Sequence, residues 1–242
     1  MNIAILGFGT VGSGVYDIVE NGDRRMRVTA IFIRPTHPAT MPEMTTNFDA
    51  ILADPTIDVV VEAIGGLHPA YDYILRALQH GKHVVTANKA VVAQHLPEFI
   101  TTAAQHHVRF YFEATTGGGI PWIRNLERAA RIDQIDTIEG IFNGTSNYIL
   151  DQMQRAHLDF DPVLLAAKDM GYAEADPSAD IDGDDVVNKL KISAALAYDM
   201  VPPRDVPKFG IRNVTKADID FFASRHQVLR LIGKSRRVGN HY

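Results

Sequence analysis

Short, nearly unbroken apolar runs recur through the first half of the chain, at residues 2–6 (N-I-A-I-L), 28–33, 58–64 (D-V-V-V-E-A-I), 83–86 and 108–113. Runs of this length without alternation predict strands buried on both faces of a parallel sheet. Helical patterns fall between them. Residues 11–20 form one, and residues 69–80 form an amphipathic one with Pro69 at its start and Gly81 just past its end. Alternation of strand and helix predicts an α/β domain with a parallel sheet.

Beyond residue 113 the alternation stops. Residues 114–121 (A-T-T-G-G-G-I-P) read as a hinge. A strand is predicted at 135–142, a tight loop at 143–147 (N-G-T-S-N) and a helix at 148–154. Residues 161–170 predict a helix with Pro162 in its first turn and Gly171 as its stop. The longest helical pattern, 184–200, is closed by Pro202-Pro203. A short strand at 209–211, a helix at 216–224, a strand at 227–232 and a polar tail at 234–242 complete the reading. The hinge divides the chain into a Rossmann-type domain at 1–115 and a smaller α+β domain at 116–242.

Composition narrows the partners. A net charge of -5 in 242 residues gives no electrostatic reason to expect nucleic acid or an anionic membrane. Without cysteine there is no disulfide, thiolate metal site or cysteine nucleophile. The first residues run straight into a strand, which leaves no room for a signal peptide, and no apolar run has transmembrane length. A cytoplasmic protein is expected. Asn143-Gly144-Thr145 fits a glycosylation pattern, which has no consequence without export.

The first strand breaks into Gly7-Phe8-Gly9-Thr10-Val11-Gly12. Between a strand and a helix this pattern predicts a dinucleotide site. Gly7 permits the turn, Gly9 lets a pyrophosphate approach, Gly12 packs the helix against the strand, and Thr10 and Val11 open the helix with free N–H groups. At the end of the second strand, where NAD enzymes carry an acid for the ribose hydroxyl, stands Arg34. A guanidinium suits a 2′-phosphate, so NADP is the expected cofactor, with NAD as the alternative. Thr86 and Lys89 follow the fourth strand at the sheet's carboxyl end, where a nicotinamide would sit.

Residues 167–189 (A-K-D-M-G-Y-A-E-A-D-P-S-A-D-I-D-G-D-D-V-V-N-K) crowd Glu174, Asp176, Asp180, Asp182, Asp184 and Asp185 ahead of Lys189. An EF-hand counted from Asp180 needs Gly at position six and Glu at twelve, and meets Asp185 and Lys191 instead. A solvated helix start accounts for Asp184, Asp185 and an i,i+4 pair of Asp185 with Lys189. It leaves the remaining carboxylates around Tyr172 and Pro177 without a role. A small-substrate site uses them: Glu174 and Asp180 hold an ammonium, Asp185 orients the substrate oxygen or Lys189, and Lys189 passes a proton to an aldehyde oxygen as hydride reaches carbon.

These residues resemble the homoserine dehydrogenases. Residues 167–189 match that family's pattern of Ala, Gly-aromatic-small, Asp-Pro, Asp-Ile, Gly, Asp and Lys. G-F-G-T-V-G, T-A-N-K-A at 86–90 and F-N-G-T-S-N-Y at 142–148 are also similar to it. The resemblance implies NAD(P)-dependent interconversion of L-aspartate 4-semialdehyde and L-homoserine, on the route to threonine and methionine, in a homodimer. It implies Lys189 as acid/base with Asp185 as its partner, and Glu174 and Asp180 on the substrate. Tyr172, Thr145 and Gly144 would line the pocket, and Lys89 would lie near the nicotinamide. It also implies a sodium ion on Glu113, Thr116, Gly118 and Ile120, mostly through carbonyls. The family continues through further strands where this chain stops, so the resemblance implies a shortened substrate and dimerisation domain without kinase or regulatory segment. A dinucleotide-binding paralogue without turnover, and a dehydrogenase of another small amino-acid aldehyde or ketone, are the alternatives.

Overall fold

The chain divides into two units, Met1–Arg124 and Asn125–Tyr242, in a computed structural model that describes residues 1–22 and 25–239.

In the first unit, β1 (Asn2–Leu6) sits at the centre because Ile3, Ala4, Ile5 and Leu6 are all buried. It is followed by α1 (Thr10–Asn21), β2 (Arg27–Phe32), β3 (Met44–Thr45), α2 (Phe48–Ala53), β4 (Val59–Glu62), α3 (Ala70–Gln79), β5 (His83–Thr86), α4 (Lys89–Gln105) and β6 (Phe110–Tyr111). The six strands lie in the order β3-β2-β1-β4-β5-β6, every pair parallel. This is the doubly wound arrangement, with its reversal of strand order between β1 and β4. Leu6 is level with Phe32 on one side and with Glu62 on the other, so three loops leave the sheet at one height. Ile3, Ile5, Val28, Ile31, Val59 and Val61 form the core that fixes this register. A slip of one residue would turn these side chains to the wrong face.

The expected strands at 58–64 and 108–113 are shorter in the structure. After Glu62 the N–H groups of Ile64 and Gly65 turn to the Glu62 carboxylate, at 2.8 and 3.1 Å, and leave the ladder. A 3-10 turn over Glu113–Thr115 ends the sixth strand early. Lys89, expected in a loop, is instead the first residue of the 17-residue helix α4. Asn88 caps that helix by accepting from the Val91 N–H at 3.3 Å, and Val91, Leu96, Phe99 and Ala103 supply its buried face. Pro97 inside the helix obscures the pattern in the sequence.

The second unit holds most of α5 (Trp122–Ala130), then β7 (Thr137–Gly140), α6 (Gly144–Ala156), α7 (Phe160–Asp169), α8 (Ser178–Ile181), α9 (Asp184–Tyr198), α10 (Lys216–Ala223) and β8 (Gly233–Arg236). Its core gathers Ile149, Leu150 and Met153 of α6, Phe160, Val163 and Ala167 of α7, and Ile181, Ile211 and Ile219. Full burial of an aliphatic side chain of this size contributes about 1.5–3 kcal/mol.

Four expectations are corrected here. Residues 143–147 are not a tight loop, because Asn143 caps α6 and the helix runs from Gly144. The 209–211 strand is absent, since Ile211 gives its N–H to the Ile181 carbonyl at 2.7 Å, at the end of α8, and not to a strand partner. The last strand falls at 233–236, past 227–232, and pairs antiparallel with β7 from Gly140↔Gly233 to Thr137↔Arg236. A Cβ on Gly233 would lie 2.8 Å from Val186 and 2.9 Å from Phe142, so only glycine lets the strand in at this point. Part of the expected polar tail is therefore a strand with Gly233 and Ser235 buried, and residues 240–242 lie outside the described residues.

Candidate functional site

The first unit carries a cleft of about 510 Å³ at the switch point of its sheet, lined by Gly7, Phe8 and Gly9 after β1, 32–35 and His37 around the end of β2, and 63–65 after β4. Gly7 has φ +95°, and a Cβ there would lie 2.8 Å from the Ala63 carbonyl oxygen. A Cβ on Gly12 would run into the Gly7 carbonyl. Both glycines are demanded by the protein itself. A Cβ on Gly9 meets nothing within 4 Å, so the bare backbone there leaves space for something outside the chain. This cradle, open at the start of α1 where Thr10 and Val11 are exposed, fits a dinucleotide pyrophosphate.

Arg34 lines the same cleft, and a turn closed by the His37 N–H on the Arg34 carbonyl at 2.9 Å brings His37 to it as well. The cleft lining contains Arg34, His37 and His68 and no carboxylate. The two histidines were not singled out in the sequence, where nothing marks them as neighbours of the glycine turn.

Thr86 and Lys89 lie at the carboxyl end of β5 and do not line this cleft. Thr86 is buried and donates its hydroxyl to Glu62 at 2.6 Å, while that oxygen accepts the Asn88 N–H at 2.9 Å. Glu62, 1 % exposed, takes this bond and those from Ile64 and Gly65. The sequence reading missed Glu62 because an acid inside an apolar strand looks like an interruption rather than the brace of the two loops that follow β4 and β5. Lys89 is half-buried.

In the second unit the acidic stretch separates into roles. Asp176 accepts from the Ser178 N–H at 3.1 Å, and bonds from the Ser178 hydroxyl and N–H hold its carboxyl below the usual range. Arg212 grips both oxygens of Asp182, at 2.7 and 2.9 Å, and chiefly through those bonds lowers that carboxyl as well. Lys208 bonds Asp184. Asp176 braces the stretch from within, and Asp182 and Asp184 tie it to the chain beyond.

Asp180 and Asp185 turn the other way. Asn143, 4 % exposed, donates from Nδ2 to Asp180 at 2.6 Å and to Asp185 at 2.8 Å, while its Oδ1 accepts the Ser146 N–H at 2.7 Å. Lys189 Nζ lies 2.8 Å from the same Oδ2 of Asp185 and 2.8 Å from the Phe142 carbonyl. Asp185 is 1 % exposed and the Lys189 side chain 17 %. A lysine held on a buried carboxylate, with part of its surface still open, is arranged to give and take a proton. Thr145 donates to the Tyr172 carbonyl at 2.9 Å, and the Tyr172 ring stacks on Tyr148 at 4.5 Å, which joins Tyr172 to the first turns of α6, where Gly144 is the first residue. Glu174 is exposed on the turn after α7, apart from this network. Asn143, which links the network, was not singled out. Its signal was that of an N-cap one residue ahead of a helix.

The loop that the resemblance assigns to sodium ends the first unit. Glu113 and Ile120 line a hollow of about 250 Å³. The Glu113 carboxylate accepts the N–H groups of Ile123 at 2.8 Å and Arg124 at 3.1 Å, at the first turn of α5, and its carbonyl accepts from Thr116 and Gly117. The Ile120 carbonyl accepts from Trp122 at 2.8 Å. Among the described residues no three His, Asp or Glu side chains gather as a metal site.

Comparison with known proteins bears on both units. Residues 7–113 match the model of the homoserine dehydrogenase NAD-binding domain, and residues 121–241 match that of homoserine dehydrogenase. The homoserine dehydrogenase of Synechocystis is 44 % identical over 96 % of this chain, which spans 56 % of that relative's length. The crystal structure of a homoserine dehydrogenase from Thiobacillus denitrificans superposes with a TM-score of 0.90 at 36 % identity, covering 99 % of this chain and 59 % of that one. A hyperthermophilic archaeal homoserine dehydrogenase in complex with NADPH superposes at 0.82 with 25 % identity, over 98 % of this chain and 78 % of that one. The chain thus spans less than three-fifths of the curated relative it matches, with the dinucleotide cradle and the Lys189 network both inside the shared part. By its sequence, its doubly wound sheet and these matches, the chain belongs to the homoserine dehydrogenase family.

Proposed function

We propose that this chain carries the machinery for NAD(P)-dependent interconversion of L-aspartate 4-semialdehyde and L-homoserine. The observation that carries the proposal is the bond of Lys189 to the buried Asp185 in one unit, together with a glycine cradle in the other that fits a dinucleotide. A nicotinamide dinucleotide held in this cradle would supply the hydride for reduction of the aldehyde carbon and accept it in the reverse direction.

The chain's own residues do the rest. As the carbonyl oxygen gains charge, Lys189 gives it a proton and the aldehyde becomes the alcohol; Lys189 takes that proton back in oxidation. Asp185 holds the ammonium of Lys189 and directs it. Asp180 and Glu174 receive the substrate ammonium, with Tyr172, Thr145 and Gly144 around the carbon chain. Gly9 and the N–H groups of Thr10 and Val11 receive the pyrophosphate, while Gly7 shapes the turn and Gly12 brings the helix close to the strand. Thr86 and Lys89 lie on the nicotinamide side, at the carboxyl end of β5.

Arg34 in a cleft without carboxylates supports NADP as the preferred form, and the NADPH bound by the archaeal relative is in keeping with it. A sodium ion on Glu113, Thr116, Gly118 and Ile120 belongs to the same reading. The hollow shared by Glu113 and Ile120 supports it, and the carbonyls of both residues there also accept backbone N–H groups. A cytoplasmic homodimer serving threonine and methionine synthesis completes the proposal. Among the described residues no helix is long and apolar enough to cross a membrane.

The test is homoserine oxidation with NAD and with NADP side by side, followed by nicotinamide absorbance, for the wild type and Lys189→Ala. Turnover lost in Lys189→Ala is the expected result. A well-folded wild type that binds NADPH yet turns over neither cofactor defeats the proposal.

A further inference from the structure

Resting on that reading, we propose that Asn143 is a positioning residue, whose amide holds the Asp180 and Asp185 carboxylates together and so keeps the oxygen that grips Lys189 in place.

The geometry leaves the amide one orientation. Its Oδ1 accepts the Ser146 N–H at 2.7 Å, and its Nδ2 faces two carboxylate oxygens at 2.6 and 2.8 Å. Exchanging oxygen and nitrogen would set an acceptor against two anions and a donor against an N–H. Both N–H bonds of the amide are therefore spent on anions. Two carboxylates on one nitrogen lie within about two hydrogen-bond lengths of each other, where like charges repel unless donors hold both.

Capping α6 does not explain this residue. A cap needs an acceptor alone, and Ser or Asp serves about as well as Asn. A cap has no use for two N–H donors aimed into α8 and α9. The chain reinforces the arrangement from its neighbour, since the Phe142 carbonyl receives Lys189 at 2.8 Å. Two consecutive residues at the end of β7 thus hold the lysine and both carboxylates.

The groups facing Asn143 are Asp180 from α8 and Asp185 from α9, with Lys189 of α9 on the shared oxygen. Asp182 and Asp184, next along the chain, are occupied by Arg212 and Lys208. Among the described residues no other carboxylate bonds the Asn143 amide.

The experiment uses the full chain with Asn143→Ser and Asn143→Asp, both of which keep a capping oxygen. Turnover and KM for NADPH are measured, with melting temperatures at about pH 7 and about pH 3, above and below the usual carboxylate range. We expect kcat to fall about 10- to 100-fold in Asn143→Ser, the size of losing hydrogen bonds to charged groups, with an unchanged KM for NADPH. Asn143→Asp, which adds a third anion, falls further. The melting gap between wild type and either variant is wide near pH 7 and narrows towards pH 3, because the repulsion that the amide offsets requires both carboxylates to be charged.

Wild-type kcat in both variants, or a melting gap equal at the two pH values, overturns the inference. If the wild type itself does not turn over, the functional proposal fails, and the pH dependence of the melting gap decides the role of Asn143 alone.

Discussion

Lys189 stands one helical turn beyond Asp185, and its ammonium lies 2.8 Å from a carboxylate that is 1 % exposed. On a solvated helix such an i,i+4 pair contributes about 0.2–0.5 kcal/mol. With Asp185 buried, removing Lys189 leaves that carboxylate without a partner charge, a loss of about 3–5 kcal/mol in fully buried pairs. Lys189→Ala is expected to lower kcat by about 10²–10⁴, the usual contribution of a general acid. Its Kd for NADPH, read by fluorescence titration, should stay at the wild-type value. An equal loss of NADPH affinity would move Lys189 out of the chemical step.

The glycine cradle separates two kinds of substitution. Gly12→Ala sets a Cβ into the Gly7 carbonyl, so lower stability and lost dinucleotide binding are expected together. Gly9→Ala meets no protein atom within 4 Å, so its melting temperature should match the wild type while NADPH binding weakens. Calorimetry on both variants checks this, and wild-type affinity in Gly9→Ala would remove the pyrophosphate from that place.

Arg34 tests cofactor choice. Arg34→Glu should weaken NADPH about 10- to 100-fold, the loss of a charge-assisted bond, and leave NADH unchanged or improved. Equal effects on the two cofactors in steady-state KM would take Arg34 off the 2′-phosphate.

Arg212 and Asp182 give a pH signature. The guanidinium bonds lower the Asp182 carboxyl from its ordinary 3.8 in the folded protein. A lowered folded pKa contributes stability above the unfolded value that is lost as pH falls through the folded one. Arg212→Ala should therefore melt below the wild type near neutral pH, with the difference fading under about pH 4. The pair is exposed, so the effect is small and salt-sensitive. A difference that persists in strong acid would point to lost packing of Arg212.

The core of the second unit is tested by Leu150→Ala. Leu150 is fully buried in α6, and truncation there costs about 2–5 kcal/mol. Chemical denaturation should show the loss, and a change under about 1 kcal/mol would mean that the unit closes over the gap.

Much of this was legible along the chain. The first unit's order follows from local pattern, because a strand buried on both faces must be apolar throughout and a glycine turn before a helix has few uses. Gly7, Gly9, Gly12 and the spacing of Asp185 to Lys189 could be read directly, since they act within one turn of structure. Elements that depend on distant partners could not. β8 at Gly233–Arg236 reads as a polar tail until β7 pairs with it, and Ile211 reads as a strand until its N–H is spent on Ile181.

The same division runs through the site. The sequence alone determined which residues can hold a phosphate, an ammonium and a proton, since that chemistry belongs to side chains and short spacings. Only the tertiary structure decided which partner each of the crowded carboxylates takes. Arg212 and Lys208, far along the chain, take up Asp182 and Asp184, while Asn143, from the start of another helix, turns Asp180 and Asp185 inward. Hydrogen bonds act over about 3 Å of space whatever the distance in sequence, so a carboxylate's role is set by the partner the fold brings to it.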